Sequence, residues 1–576
     1  PMMAARLGSI DASIIVDARN VRAARIKDAH AGRVQFKARA SEDGLVIDTL
    51  DIADLGGANV KASGRLTAAG ERVDALVDAP DMAPLTLLFG KLFPGRVAGL
   101  LSDRAKIISP ARATITAERT SDSARTIRLS FDGTAASTAI TGSGQMTLDD
   151  AGLIYQTDVT ASSRDSVVLL QQAGLPVLPT QVKSAGRISL KAKGDPHKGS
   201  DVTYDLDLLG VAATGSLAIN QEATQALGPF KINTADATPL LSTLGFPFPD
   251  SMIKSPATVT GQFESGSDRI SIKQIDALVA GRKVTGALHY RPSVLKIEGD
   301  VKADFVSLPL LASFIVGPVG EAASTSLWPA TRFSEVGPPP VDLVIGVQAD
   351  SVDTGFGAKL TKLSTQLAWR PYSLEFQNLE GRLFDAPLTG SIALRRQGSL
   401  ATYLGKLSVK GVALSDVFPR AGLGGSADIQ FDGGGSGESV SAFAASLSGG
   451  GQLHVSGLTV PTLDLGAVAA TTRALDSQRD PPDVRRVTDL IAAGLNAGPL
   501  RLDDLSAPLT ASSGVMRFGP LDARQGSAGL QGSLSLDMRV MKLDGRLVID
   551  SKDAPKDWIG PPPQVILSLR GLMSGV

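Results

Sequence analysis

Side chains suited to acid–base, nucleophilic or metal chemistry are few in this sequence, and their spacing brings none of them together. The histidines are His30, His197, His289 and His454, with no His-x-x-x-His pair and no acidic cluster at metal-ligand spacing. Each reads as an ordinary strand or loop residue. Cysteine is absent, so thiolate catalysis, zinc–thiolate sites and disulfide staples are excluded, and the redox compartment stays undecided. No Gly-x-Ser-x-Gly elbow presents a serine nucleophile. The cluster GGGSG (433–437) lacks the Lys-Ser/Thr of a phosphate loop and reads as a turn. Paired acids occur as LDD at 148–150 and 502–504, where strand ends and turns commonly carry them. Trp328, Trp369 and Trp558 are too scattered for a base-stacking platform. The sequence names no catalytic residue, and neither enzyme activity nor a cofactor or metal is expected.

Charge closes another route. Lys and Arg total 57 against 58 Asp and Glu, a net charge of -1, so no field exists to gather nucleic acid or an anionic bilayer. At 576 residues the chain is several domains or one extended repeat. Its 61 glycines and 5% aromatics suit many short strands joined by turns better than one large packed core.

Alternation of apolar and polar residues dominates the pattern. In LKIEGDVKADF (295–305), Leu295, Ile297, Gly299 and Val301 share one face while Lys296, Glu298, Asp300 and Lys302 share the other. That is a strand wetted on one side only. VQFKARA (34–40), VDLVIGVQA (341–349) and KLSVKG (406–411) read alike. The expected fold is mainly β: a long curled antiparallel sheet forming a hydrophobic groove, with short helices capping or inserted between strands.

Several of these strands carry a glycine in the oily stripe, as in VKASGRL (60–66), VTGALHY (284–290), LTGSIAL (388–394) and LQGSLSL (530–536). An internal repeat lies behind them. Ile270, Ile272, Ile275 and Gly286 form one copy, Leu374, Phe376, Leu379 and Gly390 a second, and Met516, Phe518, Leu521 and Gly532 a third, at identical offsets. Leu45, Ile47, Leu50 and Gly64 fit with three extra residues, as a bulge or longer turn would permit. Gly64, Gly286, Gly390 and Gly532 are expected to bend the groove. Val60, Leu66, Val284, Leu288, Leu388, Ile392, Leu530 and Leu534 are expected to line it. Glycine permits bending and close approach by another chain, polypeptide or lipid. The alternative is that it makes room for helix packing in a closed sandwich.

Short helices are expected within 81–95, 163–176, 236–247, 305–318, 413–425 and 480–498, each with a cap-like Asp or Ser or an early Pro and a terminal break. They either plug the oily face or serve as movable covers over a ligand path. The passage 317–340, rich in Pro, Gly and small residues, reads as a joint between an N-terminal region 1–316 and a C-terminal region 341–576. The longest oily run, FVSLPLLASFIV (305–316), has 12 residues and a central Pro309, against roughly 20 needed to span a bilayer. The opening PMMAARLGSIDASIIVDARNV lacks the traits of a signal peptide and reads as sheet interior, so a fragment is expected. Any membrane anchor would lie outside it.

A one-layer sheet with an oily face must curl, pair or bind something, because apolar burial supplies roughly 25 cal/mol per Å². Lipid suits such a trough, at about 0.8 kcal/mol per buried methylene. A scaffold whose oily faces are buried entirely by protein is the competing reading, and an enzyme of unknown type a distant third.

The runs LEFQNLEGRLFDAPLTGSIAL (374–394), GGGQLHVSGLTVPTLDLGAVAA (449–470) and 498–550 resemble the AsmA-like family of Gram-negative envelope proteins, relatives of TamB and YhdP. The resemblance is strongest over 340–576 and weaker over 1–316. It implies a periplasmic groove anchored in the inner membrane and associated with phospholipid transport toward the outer membrane and with envelope biogenesis. Phospholipid or another acyl lipid would be the partner, with inner- and outer-membrane proteins at either end and no nucleic acid. At about 4.8 Å per strand, some 30 to 40 strands in one sheet would reach roughly 140 to 190 Å.

Overall fold

A computed structural model describes residues 12–22, 30–92, 96–120, 126–149, 152–175, 177, 183–195, 198–246, 255–320, 322, 327–477, 483–555 and 558–572. Within them the chain is mainly β. Its 29 strands form one long sheet that does not close into a barrel, with short helices between strands. The chain divides into two compact units: Pro1–Phe246, Ile253–Gly281 and His289–Val294 make the first; Pro247–Met252, Arg282–Leu288 and Leu295–Val576 make the second.

Alternation sets the strands. In Ala58–Thr67, Val60, Ala62, Gly64 and Leu66 are half-buried while Lys61, Ser63 and Arg65 are exposed. Fifteen strands, from Ala12–Arg22 to Ile270–Val279, follow one another in the first unit, each antiparallel to the next. Tight connections keep the order sequential. The pairs 56–57, 209–210, 384–385 and 513–514 are two-residue hairpin turns with both φ positive, the hand that matches strand twist.

One step departs from the antiparallel rule. Lys296–Ser307 pairs parallel with Asp342–Asp353, in register from Lys296↔Asp342 to Ser307↔Asp353. A parallel pair needs a crossover, and the Pro/Gly-rich 317–340 passage supplies its return leg inside the second unit. It is anchored there: the Phe333 amide donates to the Glu438 carbonyl at 2.7 Å, and Trp328 Nε1 to the Met538 carbonyl at 2.6 Å. Arg396, 8% exposed, donates to the carbonyls of Gly398, Ile315 and Ser334.

Nine helices occur among the described residues: α1 (Met82–Leu92), α2 (Arg96–Asp103), α3 (Ser166–Gln172), α4 (Thr238–Thr243), α5 (Leu308–Val316), α6 (Leu414–Val417), α7 (Val440–Ser446), α8 (Ala467–Asp476) and α9 (Val484–Leu495). All six expected segments contain one. Caps explain their starts: Asp165, Ser439 and Asp483 accept from backbone amides of α3, α7 and α9, and Pro occupies the first turn of α4 and α5. The first five follow the fifth, ninth, thirteenth and seventeenth strands, a four-strand period that ends there, since α6 to α9 follow the twenty-second to twenty-fourth. No described helix is long and apolar enough to cross a membrane.

The sequence repeat proves to be a β-bulge and its partner. Phe376 faces Ile392 and Leu379 faces Gly390, with the register shifting between them at Asn378, whose φ is +50°. Phe518, Leu534, Leu521 and Gly532 repeat the arrangement. The extra residue keeps all three apolar side chains of the bulged strand on one face. In the first copy Ala62 stands opposite Leu50, while Gly64 pairs with Ile47 across the bulge. Two of the three extra residues of that copy place the glycine on the other side of the same bulge, and the third is a second bulge between Ile52 and Leu55, where Asp54 has φ of +57°.

The glycines serve close approach within the sheet. Gly286, Gly390 and Gly532 have φ of +156° to +157°, and an added Cβ would overlap the carbonyl oxygens of Asp300, Lys406 and Arg546 on the following strand. At Gly64 it would overlap that of Arg72. Gly405, on the same face, has ordinary φ and open space. Gly390→Ala is expected to destabilise the protein by about 2–4 kcal/mol in denaturant unfolding, and Gly405→Ala to change it by no more than about 1 kcal/mol.

Candidate functional site

Cross-strand register carries the apolar parity across the first unit. Val16, Phe36, Leu50, Ala62, Ala75 and Ile115 are successive partners. Phe131, Gly142, Val159, Leu190, Tyr204, Gly215, Phe230 and Gly261 continue the row. A neighbouring row crosses all fifteen strands, from Ala18, Val34, Ile52 and Val60 to Ile188, Leu206, Ala213, Ile232, Val259 and Ala277. At about 4.8 Å per strand this apolar floor is roughly 70 Å long.

The floor stays accessible. Apart from Ala277, the members of both rows are half-buried or exposed, with Val16 at 43% and Leu190 at 39%. One margin is closed by helices: Leu169 and Leu170 of α3 form a core with Leu208 and Leu209, against which Ile188 and Leu240 pack. At the other margin Glu71 pairs with Arg119.

Large side chains lie flat over the floor's glycines. A Cβ at Gly142 would meet the Phe131 ring, at Gly215 the Tyr204 ring and at Gly261 the Phe230 ring. In the second unit Phe431 covers Gly433 and Gly449, and Leu407 and Leu547 lie against Gly390 and Gly532. The gaps are filled from an adjacent strand, or at Gly433 by Phe431 of its own strand, which keeps the floor low.

Apart from marginal pairs such as Glu71 with Arg119, the ion pairs of the first unit lie on the opposite face. Lys61 and Asp51 are direct cross-strand partners there, as are Arg72 and Glu118, at 3.9 and 2.7 Å. Hydrogen bonds from Arg33 and Arg39 hold the Asp17 and Asp48 carboxyls below their ordinary range, and Arg72 with Thr116 does so for Asp74. These pairs are solvent-exposed and fix register more than they stabilise. Tyr204 is the one ionisable side chain in the two floor rows, and burial raises its pKa, so its hydroxyl stays neutral.

The second unit has a comparable row, Leu379, Gly390, Leu407, Phe431, Gly451, Leu509, Phe518, Leu534, Gly545 and Leu569. Polypeptide covers part of it. The crossover helix α5 packs on Asp342–Asp353, Ser373–Leu383 and Ala386–Gln397, with Phe314 stacked on Trp369 at 5.0 Å. Further along, Leu465 and Val468, at and within the start of α8, join Leu502, Leu521, Leu530, Leu547 and Ile549 in a closed core.

All eight expected lining residues take the apolar parity, with two corrections. Leu388 and Leu530 are 6% and 5% exposed, on a strand under α5 and in the α8 core respectively, so protein occupies the space assigned to a ligand. Val60, Leu66, Val284, Leu288, Ile392 and Leu534 are half-buried. The four glycines are also on this face, approached by the next strand.

The polar face carries one constellation that spacing did not reveal. Ser506 Oγ lies 2.8 Å from His454 Nδ1, and Nε2 lies 3.2 Å from Ser456 Oγ and 3.4 Å from Asp504 Oδ1. Cross-strand pairing of His454 with Ser506 and Ser456 with Asp504 assembles it. The His454 and Asp504 side chains are 43% and 69% exposed, so the low-dielectric enclosure that makes a Ser-His-Asp set catalytic is missing. His289 Nδ1 is 3.0 Å from Ser271 Oγ. His197 and the His30 side chain lie outside the described residues. No group of three or more His, Cys, Asp or Glu among the described residues could hold a metal.

No family model matches the chain, and no curated protein matches it.

The contrast between the floors is measurable. Leu530→Ala should destabilise the protein by about 2–5 kcal/mol because it empties a closed core. Leu190→Ala, on the open floor, should change stability by less than about 1 kcal/mol in the same denaturant titration.

Proposed function

We propose that this protein binds and passes acyl chains of lipid along the apolar floor of its sheet, as a periplasmic lipid-transfer or outer-membrane biogenesis protein related to the AsmA-like family. The single observation that carries the reading is the double row in the first unit, whose uncharged side chains, apart from the buried Ala277 and the helix-packed Ile188, are left accessible by the described residues. A chain laid on it gains about 0.8 kcal/mol per methylene removed from water. Such binding requires no catalytic group, and both the absence of charge from the two floor rows and the level floor favour a sliding apolar cargo. The envelope location, attachment to the inner membrane and membrane-protein partners rest on the sequence resemblance.

A structural β-repeat protein of the envelope without lipid cargo is the second reading. The cover of α5 and α8 over the second unit favours it, since there the sheet buries its apolar face with its own helices.

Lipid extraction and mass spectrometry of protein purified without detergent separates the two. The expected result is at least about one diacyl phospholipid per chain. Leu190→Glu or Ile232→Asp should reduce it several-fold by placing a charge in the apolar path, whereas Thr214→Asp on the polar face should leave it unchanged. Lipid-free protein with an intact circular dichroism spectrum would overturn the transfer reading.

A further inference from the structure

A cavity of about 530 Å³ lies between α8, α9 and the proline-rich stretch before the last strand. Its size falls in the roughly 300–1,000 Å³ range of small-ligand sites. The wall is apolar and comes from three elements: Val468 and Leu475 on α8, Val487 and Ile491 on α9, and Trp558 and Val565 from the C-terminal stretch. Val468 and Leu475 are seven residues apart, so the slot runs about 10 Å along α8. Trp558 Nε1 donates to the Pro561 carbonyl at 2.8 Å, which satisfies the indole's polar atom.

Two features show that the slot is built and that the described residues leave it unfilled. α9 has an apolar stripe through Val484, Val487 and Ile491, yet none of its residues is buried. Conversely, Val468 belongs to the closed core of Leu530 and Ile549, and Val565 packs against it, so the inner wall is rigid. Asp476 and Gln564 supply polar lining. An exposed carboxylate there disfavours an anionic head.

We propose that this slot is a binding site for a single acyl chain carried on a neutral or zwitterionic head, distinct from the open floor. Its narrow, elongated form and aliphatic wall suit one flexible chain, and its volume is too small for a peptide helix. The floor can carry lipid or not without affecting this assignment.

The test titrates the whole 576-residue chain with a lysophosphatidylcholine whose acyl chain is brominated, a contact quencher of indole fluorescence. Saturable quenching is expected, and its main component should vanish in Trp558→Phe. Ile491→Asp, at a half-exposed position, should raise the half-saturation concentration at least about tenfold through the cost of desolvating a carboxylate; Val487→Asp is the second variant if the first folds poorly. A fatty acid brominated on the same chain should bind about fivefold more weakly at neutral pH, the effect of one carboxylate near the mouth. Leu190→Glu should leave this quenching unchanged. Quenching that survives Trp558→Phe and Ile491→Asp but is lost in Leu190→Glu would overturn the slot and leave the floor reading standing. Loss of floor lipid with normal Trp558 quenching would do the reverse. Absence of saturable quenching would also overturn the slot.

Discussion

The structure depends on keeping side-chain parity across many consecutive strand pairings. A strand that slips by one residue turns its whole apolar set outward, and in a sheet this long an uncorrected slip would separate the oily face into disconnected patches. Paired charges such as Lys61 with Asp51 and Arg72 with Glu118 hold register on the wet side. Where an extra residue enters, as at Asn378, the bulge absorbs it and Leu379 returns to the apolar face beside Phe376.

The same constraint explains the glycines. Bulges bring neighbouring backbones close, and at Gly390 and Gly532 the following strand's carbonyl occupies the volume of a Cβ. Elsewhere an aromatic ring from the adjacent strand lies over the glycine, as Phe131 does over Gly142. Both arrangements keep bulk out of the space above the sheet. Among the described residues the first unit leaves most of that space open, whereas the second fills much of it with α5 and α8.

Much of this was legible in sequence because it is local. Alternation in VKASGRL set the face of Val60 and Leu66, and the Leu374, Phe376, Leu379 spacing was legible as a repeat, whereas its identity as a bulge follows only from the strand pairing. Prolines and Asp caps located α4, α5, α3 and α9. What sequence did not reveal is non-local. The burial of Leu388 and Leu530 depends on helices distant in the chain, since Phe314 and Trp369 meet only after the crossover has closed. The parallel pairing across 317–340 has no turn signature to announce it. The His454 and Ser506 contact bridges 52 residues, a distance over which spacing rules are silent.

The crossover has a mechanical consequence for α5. One end continues directly from Lys296–Ser307 and the other returns to Asp342–Asp353, and these two strands are zipped to each other residue by residue. Arg396 also clamps the carbonyls of Ile315 and Ser334. A segment fastened at both ends to a ladder it helps to complete lacks the free arm that a hinged flap needs. It acts as a fixed bolt across the strands of the second unit.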